Sequence, residues 1–357
     1  MAKFHHYDSA ALLGFTRLVE IQDEQIWLNL LTPQVRALLG RIVRYGEPQV
    51  METIKGHFPG DEASNLNGHR ILDARGHPLV RFPYVSTLHK TEHGVIVIKR
   101  DMVKVRVTCW VGDVLSGRGQ LIFMVGLRDR RYDGTKRAND TALLAYSYDD
   151  PHFHRRITTA ANSVEVSIYS FVPGSSIVEA TGEPEFQQFI EKPFAFLDRP
   201  TLFLQYFQRA WHTARAPGQF AAPIKDVSMT VLQSVERIVA GKGYDFVECA
   251  VSHYHVALWF KSRGYRYSYA KDATTMAAFG AGIQGIKDSG IKLTRTQESW
   301  VCALQSLRPA ELIPEGLFLN GPIWPQDNIG PELLWMNKPL NERAAKLISE
   351  PISNDKN

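Results

Sequence analysis

Between Asp226 and Tyr269 the chain changes period three times within a short span, and this stretch constrains the fold more than any other. Val227, Val231, Leu232, Val235, Ile238 and Val239 recur at helical spacing after Asp226 or Ser228, either of which can cap, and Gly241 and Gly243 end the run. Phe246 to Val251 is a short β-branched and aromatic run bounded by Asp245 and Ser252, the signature of a strand. Ser252 can cap a second helix over Tyr254–Arg263, which Gly264 ends, and Tyr265 to Tyr269 reads as another strand. Helix, strand, helix, strand in so few residues demands an α/β layer arrangement, because each element buries one face against its neighbour.

Upstream the pattern differs. Val95–Lys99, Val103–Val111, Leu121–Leu127, Ala142–Tyr148 and Val164–Val172 are short apolar runs punctuated by Gly, Asp and Asn. Val103, Val105 and Val107 alternate with Lys104, Arg106 and Thr108, which gives one apolar and one polar face and predicts a largely antiparallel sheet. Near the start, Thr32–Pro33 places a cap and a proline at a first helical turn, with Val35, Leu38, Leu39, Ile42 and Val43 following and Gly46 as the stop. Ile21–Leu31 reads as a partner helix, and from Glu183 the signal is helical again through Phe186–Ile190 and Leu202–Trp211. The expected fold is therefore α/β (α+β), a mixed and largely antiparallel sheet flanked by helices. Residues 1–160 form a helical and β-rich region and residues 161–357 a second domain.

Composition sets outer bounds. Lys and Arg number 41 against 37 Asp and Glu, a net charge of +4, too thin an excess for a phosphate-binding face. Nucleic acid is not an expected partner. The 3 cysteines, Cys109, Cys249 and Cys302, lie far apart, so neither a disulfide framework nor a cysteine zinc site is expected. No apolar run approaches the roughly 18 residues of a membrane span. Met1 to Tyr7 lacks the layout of a signal peptide, so the expected location is cytoplasmic.

The order of elements from Asp226 to Tyr269 resembles the second half of the GNAT superfamily of acyltransferases. Val256-Ala257-Leu258-Trp259-Phe260-Lys261-Ser262-Arg263-Gly264-Tyr265 is similar to that family's A-x-x-x-Y-x-x-x-G-F helix end, with the alanine one place late. Leu333-Leu334-Trp335-Met336-Asn337-Lys338-Pro339-Leu340 is similar to its closing M-x-K-x-L strand. The resemblance covers about a third of the chain and leaves residues 274–331 as an insertion. It implies acyl transfer from acetyl-CoA, acyl-CoA or a carrier-protein thioester to an amine or hydroxyl of a small-molecule acceptor, with no metal. The N-terminal region would shape the acceptor pocket or be a degenerate twin domain.

Two departures follow from the same residues. The family's glycine-rich pyrophosphate loop has as its nearest counterpart Arg215-Ala216-Pro217-Gly218-Gln219-Phe220-Ala221, with Phe220 where a small residue belongs. Arg215 and Gly218 are thus candidate cofactor-binding residues, beside Lys225 and the amides of Val227 and Ser228, which would face an anion at a helix N-terminus. Phe260 stands where many members carry a general-acid tyrosine, so protonation of a leaving thiolate needs another group or solvent.

Candidate chemistry centres on His253 and His255, beyond a strand end at a helix N-terminus. Either can take a proton from an attacking nucleophile. Glu248 lies mid-strand, as a further base or as the wet side of an alternating strand. His152 and His154, with Asp149 or Asp150, form a second His-x-His unit that could share a metal with 253 and 255, although Arg155 and Arg156 would repel a cation. Arg128, Arg130, Arg131, Lys136 and Arg137 form a basic loop diluted by Asp129, Asp133 and Asp140. Gly56-His57-Phe58-Pro59-Gly60 matches a hotdog-fold dehydratase motif by chance, since its continuation is polar. Phe318, Trp324, Trp335 and Gly321-Pro322-Ile323 can wall an apolar acyl pocket or cover a core. Two other classes compete with acyl transfer: a non-catalytic binding module that kept the fold, and a metal-dependent hydrolase using both His-x-His units.

Overall fold

The computed structural model describes residue 18 and residues 20–44, 70–72, 78–81, 85–100, 104–114, 117–129, 163–325 and 334–349. Along the chain come helices α1 (Asp23–Asn29) and α2 (Pro33–Leu39), then strands β1 (Ile42–Arg44), β2 (Arg70–Leu72) and β3 (Pro78–Arg81). Strands β4 (Val85–Thr91), β5 (Gly94–Arg100), β6 (Lys104–Val111), β7 (Gln120–Asp129) and β8 (Ser163–Ser170) follow. Helices α3 (Ile177–Thr181), α4 (Pro184–Glu191), α5 (Pro200–His212) and α6 (Val227–Gly241) lead into β9 (Phe246–Val251), α7 (Tyr254–Lys261) and β10 (Arg266–Tyr267). Two helices, α8 (Ala270–Asp288) and α9 (Arg295–Leu304), precede β11 (Leu334–Pro339) and α10 (Glu342–Ser349). The fold is α/β, with a mixed, mostly antiparallel sheet and flanking helices.

The chain forms two compact units, neither contiguous. Met1–Pro173, Pro223–Glu248 and Pro339–Asn357 make the first, and Gly174–Ala222 with Cys249–Lys338 make the second. The expected division at residue 160 cuts the chain once, whereas these units cut it four times.

In the first unit the strands follow the order β1-β4-β5-β6-β7-β8-β9. All these pairs are antiparallel except the last: β8 and β9 run parallel, in register from Ser163–Phe246 to Glu165–Glu248. Strands β2 and β3 form a separate antiparallel pair. The alternation read in β6 has a direct outcome, since Val105, Val107 and Cys109 are buried while Arg106 between them keeps partial exposure. Helix α6 packs against β8 through Val227, Val231, Leu232, Val235 and Val239, all buried. Each such side chain contributes about 1.5–3 kcal/mol relative to exposure. Asp226 is the N-cap of α6, in a left-handed backbone conformation and with no side-chain capping bond.

The helix expected to run to Gly46 stops earlier. The Thr32 hydroxyl caps α2 by accepting from the Val35 N–H at 3.3 Å, as its sequence indicates. Gly40 then takes φ +71°, and a Cβ there would lie 2.7 Å from the Glu92 Cβ, so the helix ends and the chain enters β1. Ile42 pairs with Thr91 across that strand. The run at Ala142–Tyr148 lies outside the described residues.

The second unit is mainly helical. Phe189, Phe196, Phe203 and Trp300 form its aromatic centre, all essentially without exposure. Phe189 stacks on Trp300 at 5.3 Å with 3° between planes and meets Phe203 edge-on at 5.2 Å. Strands β10 and β11 pair antiparallel, Arg266 with Asn337 and Tyr267 with Met336. The strand expected over Tyr265–Tyr269 is shorter because Tyr269 is already the N-cap of α8. Helices α8 and α9 occupy much of the expected insertion. Among the described residues no helix is long and apolar enough to cross a membrane.

Candidate functional site

The second unit gathers four of the residues singled out in the sequence: Arg215, Gly218, His253 and His255. His253, not Ser252, is the N-cap of α7, and its carbonyl accepts from the Val256 and Ala257 N–H groups at 3.1 Å each. The extended backbone at the cap followed by the first helical residues brings the 253 and 255 rings together. Their planes lie 8° apart with centroids separated by 6.0 Å. Phe194 is parallel to His253 within the same 8°, at 6.4 Å.

Helix α9 holds His255 at two points. The Arg295 guanidinium donates to the His255 carbonyl at 2.8 Å, and the Ser299 hydroxyl lies 2.9 Å from His255 Nδ1. The helix itself is firmly placed. Thr294 and Gln297 form a reciprocal capping box, and the Trp300 indole N–H donates to the Arg215 carbonyl at 2.5 Å. Ser299 is buried, and sequence reasoning missed it: a serine inside a helix carries no motif, and its partner is 44 positions away.

Both imidazoles are neutral at pH 7. Burial pushes the His253 pKa down to about 3, with the adjacent His255 adding to the shift. Burial likewise lowers His255 to about 4, aided by the charge of Arg295. Neither ring nitrogen of His253, nor Nε2 of His255, has a hydrogen-bond partner among the described residues. The open ring nitrogens can therefore hydrogen-bond to a bound molecule.

Gly218 matters here for a reason other than the one expected. Its N–H is already engaged, donating to the Ile190 carbonyl at 2.6 Å, so it cradles no phosphate. Its φ is +80°, and a Cβ would lie 2.9 Å from Cδ2 and Nε2 of His253. The missing side chain is the room in which the His253 ring sits. Arg215 contributes its carbonyl to Trp300, while its guanidinium reaches the Ser175 carbonyl at 3.5 Å.

The remaining expected site residues belong to the first unit. Lys225 is exposed, and the Val227 side chain is buried in the core. The Val227 N–H donates to the Ile224 carbonyl at 3.4 Å instead of facing an anion, and the Asp226 carboxylate next to it disfavours one. Ser228 is half-buried on the first turn of α6. Glu248 is 1% exposed and in register with Glu165, which pairs with Arg128. A second cluster in this unit had no sequence signal: Asp23 receives Arg100, His89 Nε2 at 3.2 Å and the Thr87 hydroxyl at 3.4 Å.

Phe318, Gly321, Pro322 and Ile323 wall an open groove of about 860 Å³ along α8, within the second unit. Trp324 and Trp335 are buried, and Trp324 packs on Phe279 at 5.5 Å. Phe260 is also buried, edge-on to Trp259 and Tyr265. No group of three or more His, Cys, Asp or Glu side chains placed to hold a metal occurs among the described residues. Residues 149–156, 130–140 and 56–60, which carry the other His-x-His unit, most of the basic loop and the His-Phe-Pro run, lie outside them. Compared with family models, curated proteins and solved structures, the chain matches none.

Proposed function

We propose that the protein moves an acyl group from a thioester, on CoA or on a carrier protein, to the amine or hydroxyl of a small-molecule acceptor. One observation carries the reading. Helix α6, strand β9, helix α7, strand β10 and closing strand β11 follow in the order that the sequence resemblance implies. In that order β9 also pairs parallel with β8, whereas the other described strand pairs of the first unit are antiparallel.

In this reading the acceptor attacks the thioester carbonyl directly. The carbon–sulfur bond breaks, and the proton leaving the nucleophile ends on the departing thiol. The histidine pair at the start of α7 supplies the proton-handling groups, a role that contributes about 10²–10⁴-fold in rate. Both rings are neutral at pH 7 and so offer unprotonated nitrogens to a bound molecule, with burial making each a weaker base than a free imidazole. With the Gly218 and Val227 amides engaged inside the chain, the donor's carrier arm would be gripped elsewhere than at those amides. Cys109, Cys249 and Cys302, all buried and none in a disulfide, fit a reducing compartment such as the cytoplasm.

The test is thermal unfolding with CoA, acetyl-CoA and long-chain acyl-CoA, and an acyl-transfer assay with an acylated carrier protein. A ligand that binds only the folded state adds about 2.7 kcal/mol at a hundredfold excess over its dissociation constant. A raised midpoint, with His255→Gln abolishing transfer but keeping the shift, supports the reading. No shift with any thioester and no transfer from the carrier protein overturns it.

A further inference from the structure

Resting on the acyl-transfer reading, we infer that Ser299 fixes His255 in the tautomer whose Nε2 carries the proton, so that His255 meets the substrate as a hydrogen-bond donor rather than as the base. The assignment follows from where the serine proton can go. Ser299 is 2% exposed, and its hydroxyl has a single partner among the described residues, His255 Nδ1 at 2.9 Å. The Thr274 hydroxyl in α8, by contrast, donates to the carbonyl four residues back, that of Ala270, at 3.0 Å. Ser299 makes no such bond, so a proton on Nδ1 would leave the buried hydroxyl with nothing to donate to. The hydroxyl therefore donates to Nδ1, and the neutral ring carries its own proton on Nε2.

The helix that supplies Ser299 also holds the His255 backbone through Arg295, so ring and main chain are oriented together. A neutral imidazole does not give its proton away at ordinary pH, but it can polarise a carbonyl oxygen by donating to it. The thioester carbonyl is the group that needs such a donor, and Phe260 offers none. His253 beside it keeps both ring nitrogens without a partner among the described residues. Ser299 is thus a positioning residue, and His255 the group that would touch substrate.

The experiment is long-range proton–nitrogen NMR of the full chain labelled with ¹⁵N-histidine, with His255→Gln identifying the signals. The expected wild-type pattern is an unprotonated Nδ1 and a protonated Nε2. Ser299→Ala should move both nitrogens toward the averaged shifts of a ring exchanging tautomers, and Ser299→Thr should restore the pattern. A protonated Nδ1 in the wild type overturns the inference, and so does a pattern unchanged in Ser299→Ala. The wild-type spectrum alone decides the tautomer if Ser299→Ala does not fold. In the transfer assay Ser299→Ala should lower kcat about tenfold at unchanged KM. Because the spectrum is read without donor or acceptor, its failure is distinct from failure of the acyl-transfer reading.

Discussion

Replacing Gly218 by alanine tests whether the histidine pair is placed as described. Two costs add at this position. Its φ of +80° is a conformation that costs an L-residue about 1–2 kcal/mol. The new methyl would also lie 2.9 Å from two atoms of the His253 ring, and such overpacking costs about 1–3 kcal/mol. The total is about 2–5 kcal/mol, or about 5–15 °C in the unfolding midpoint of a unit this size. Gly174→Ala is the control, because Gly174 has φ +71° but nothing within 4 Å of the added Cβ. It should show only the conformational cost. Scanning calorimetry of both variants, with the His253 ring signals followed by NMR, separates the contributions. If Gly218→Ala costs no more than Gly174→Ala and leaves the ring signals in place, the His253 ring does not fill that space.

Acid should act on the second unit through the same rings. Their folded pKa values, about 3 and about 4, lie below the ordinary 6.5, so the unfolded chain binds more protons between those limits. Stability contributed by the two sites is full above pH 6.5 and falls as pH drops toward 4; His253→Asn with His255→Gln should flatten the dependence of the midpoint over that range. Asp23 acts with the same sign in a more acidic window. Burial raises its pKa, but the His89 hydrogen bond and the charges of Arg100 and His89 outweigh burial and hold it below 3.8. Its stabilisation is present above pH 3.8 and lost as pH falls through the folded value, so denaturant titration of Asp23→Asn should show a deficit at pH 7 that shrinks in strong acid.

How much of this was legible depended on the range of the signal. Period and punctuation are local, and the strand Phe246–Val251 and the helix from Val227 emerge where the residues placed them. Apolar spacing continues past Gly40 through Ile42 toward Gly46, and spacing does not distinguish a helix from a strand that follows a glycine turn. The role of Gly218 depends on His253, 35 positions later, which no local pattern reveals. The contacts of Ser299 with His255 and of Asp23 with His89 are tertiary in the same way.

The interleaving of the two units has a consequence for synthesis. The first unit includes Asp245, whose carboxylate takes Asn341 at 3.0 Å and Arg343 at 3.1 Å, and the second reaches from Gly174 to Lys338. A chain growing from the ribosome therefore cannot finish the first unit before residue 343 emerges, nor the second before β11 does. Both must wait, half-built and with their apolar faces uncovered, over the same interval. Chaperone demand, and loss of yield on truncation before β11, should be high for this chain relative to one whose domains lie end to end.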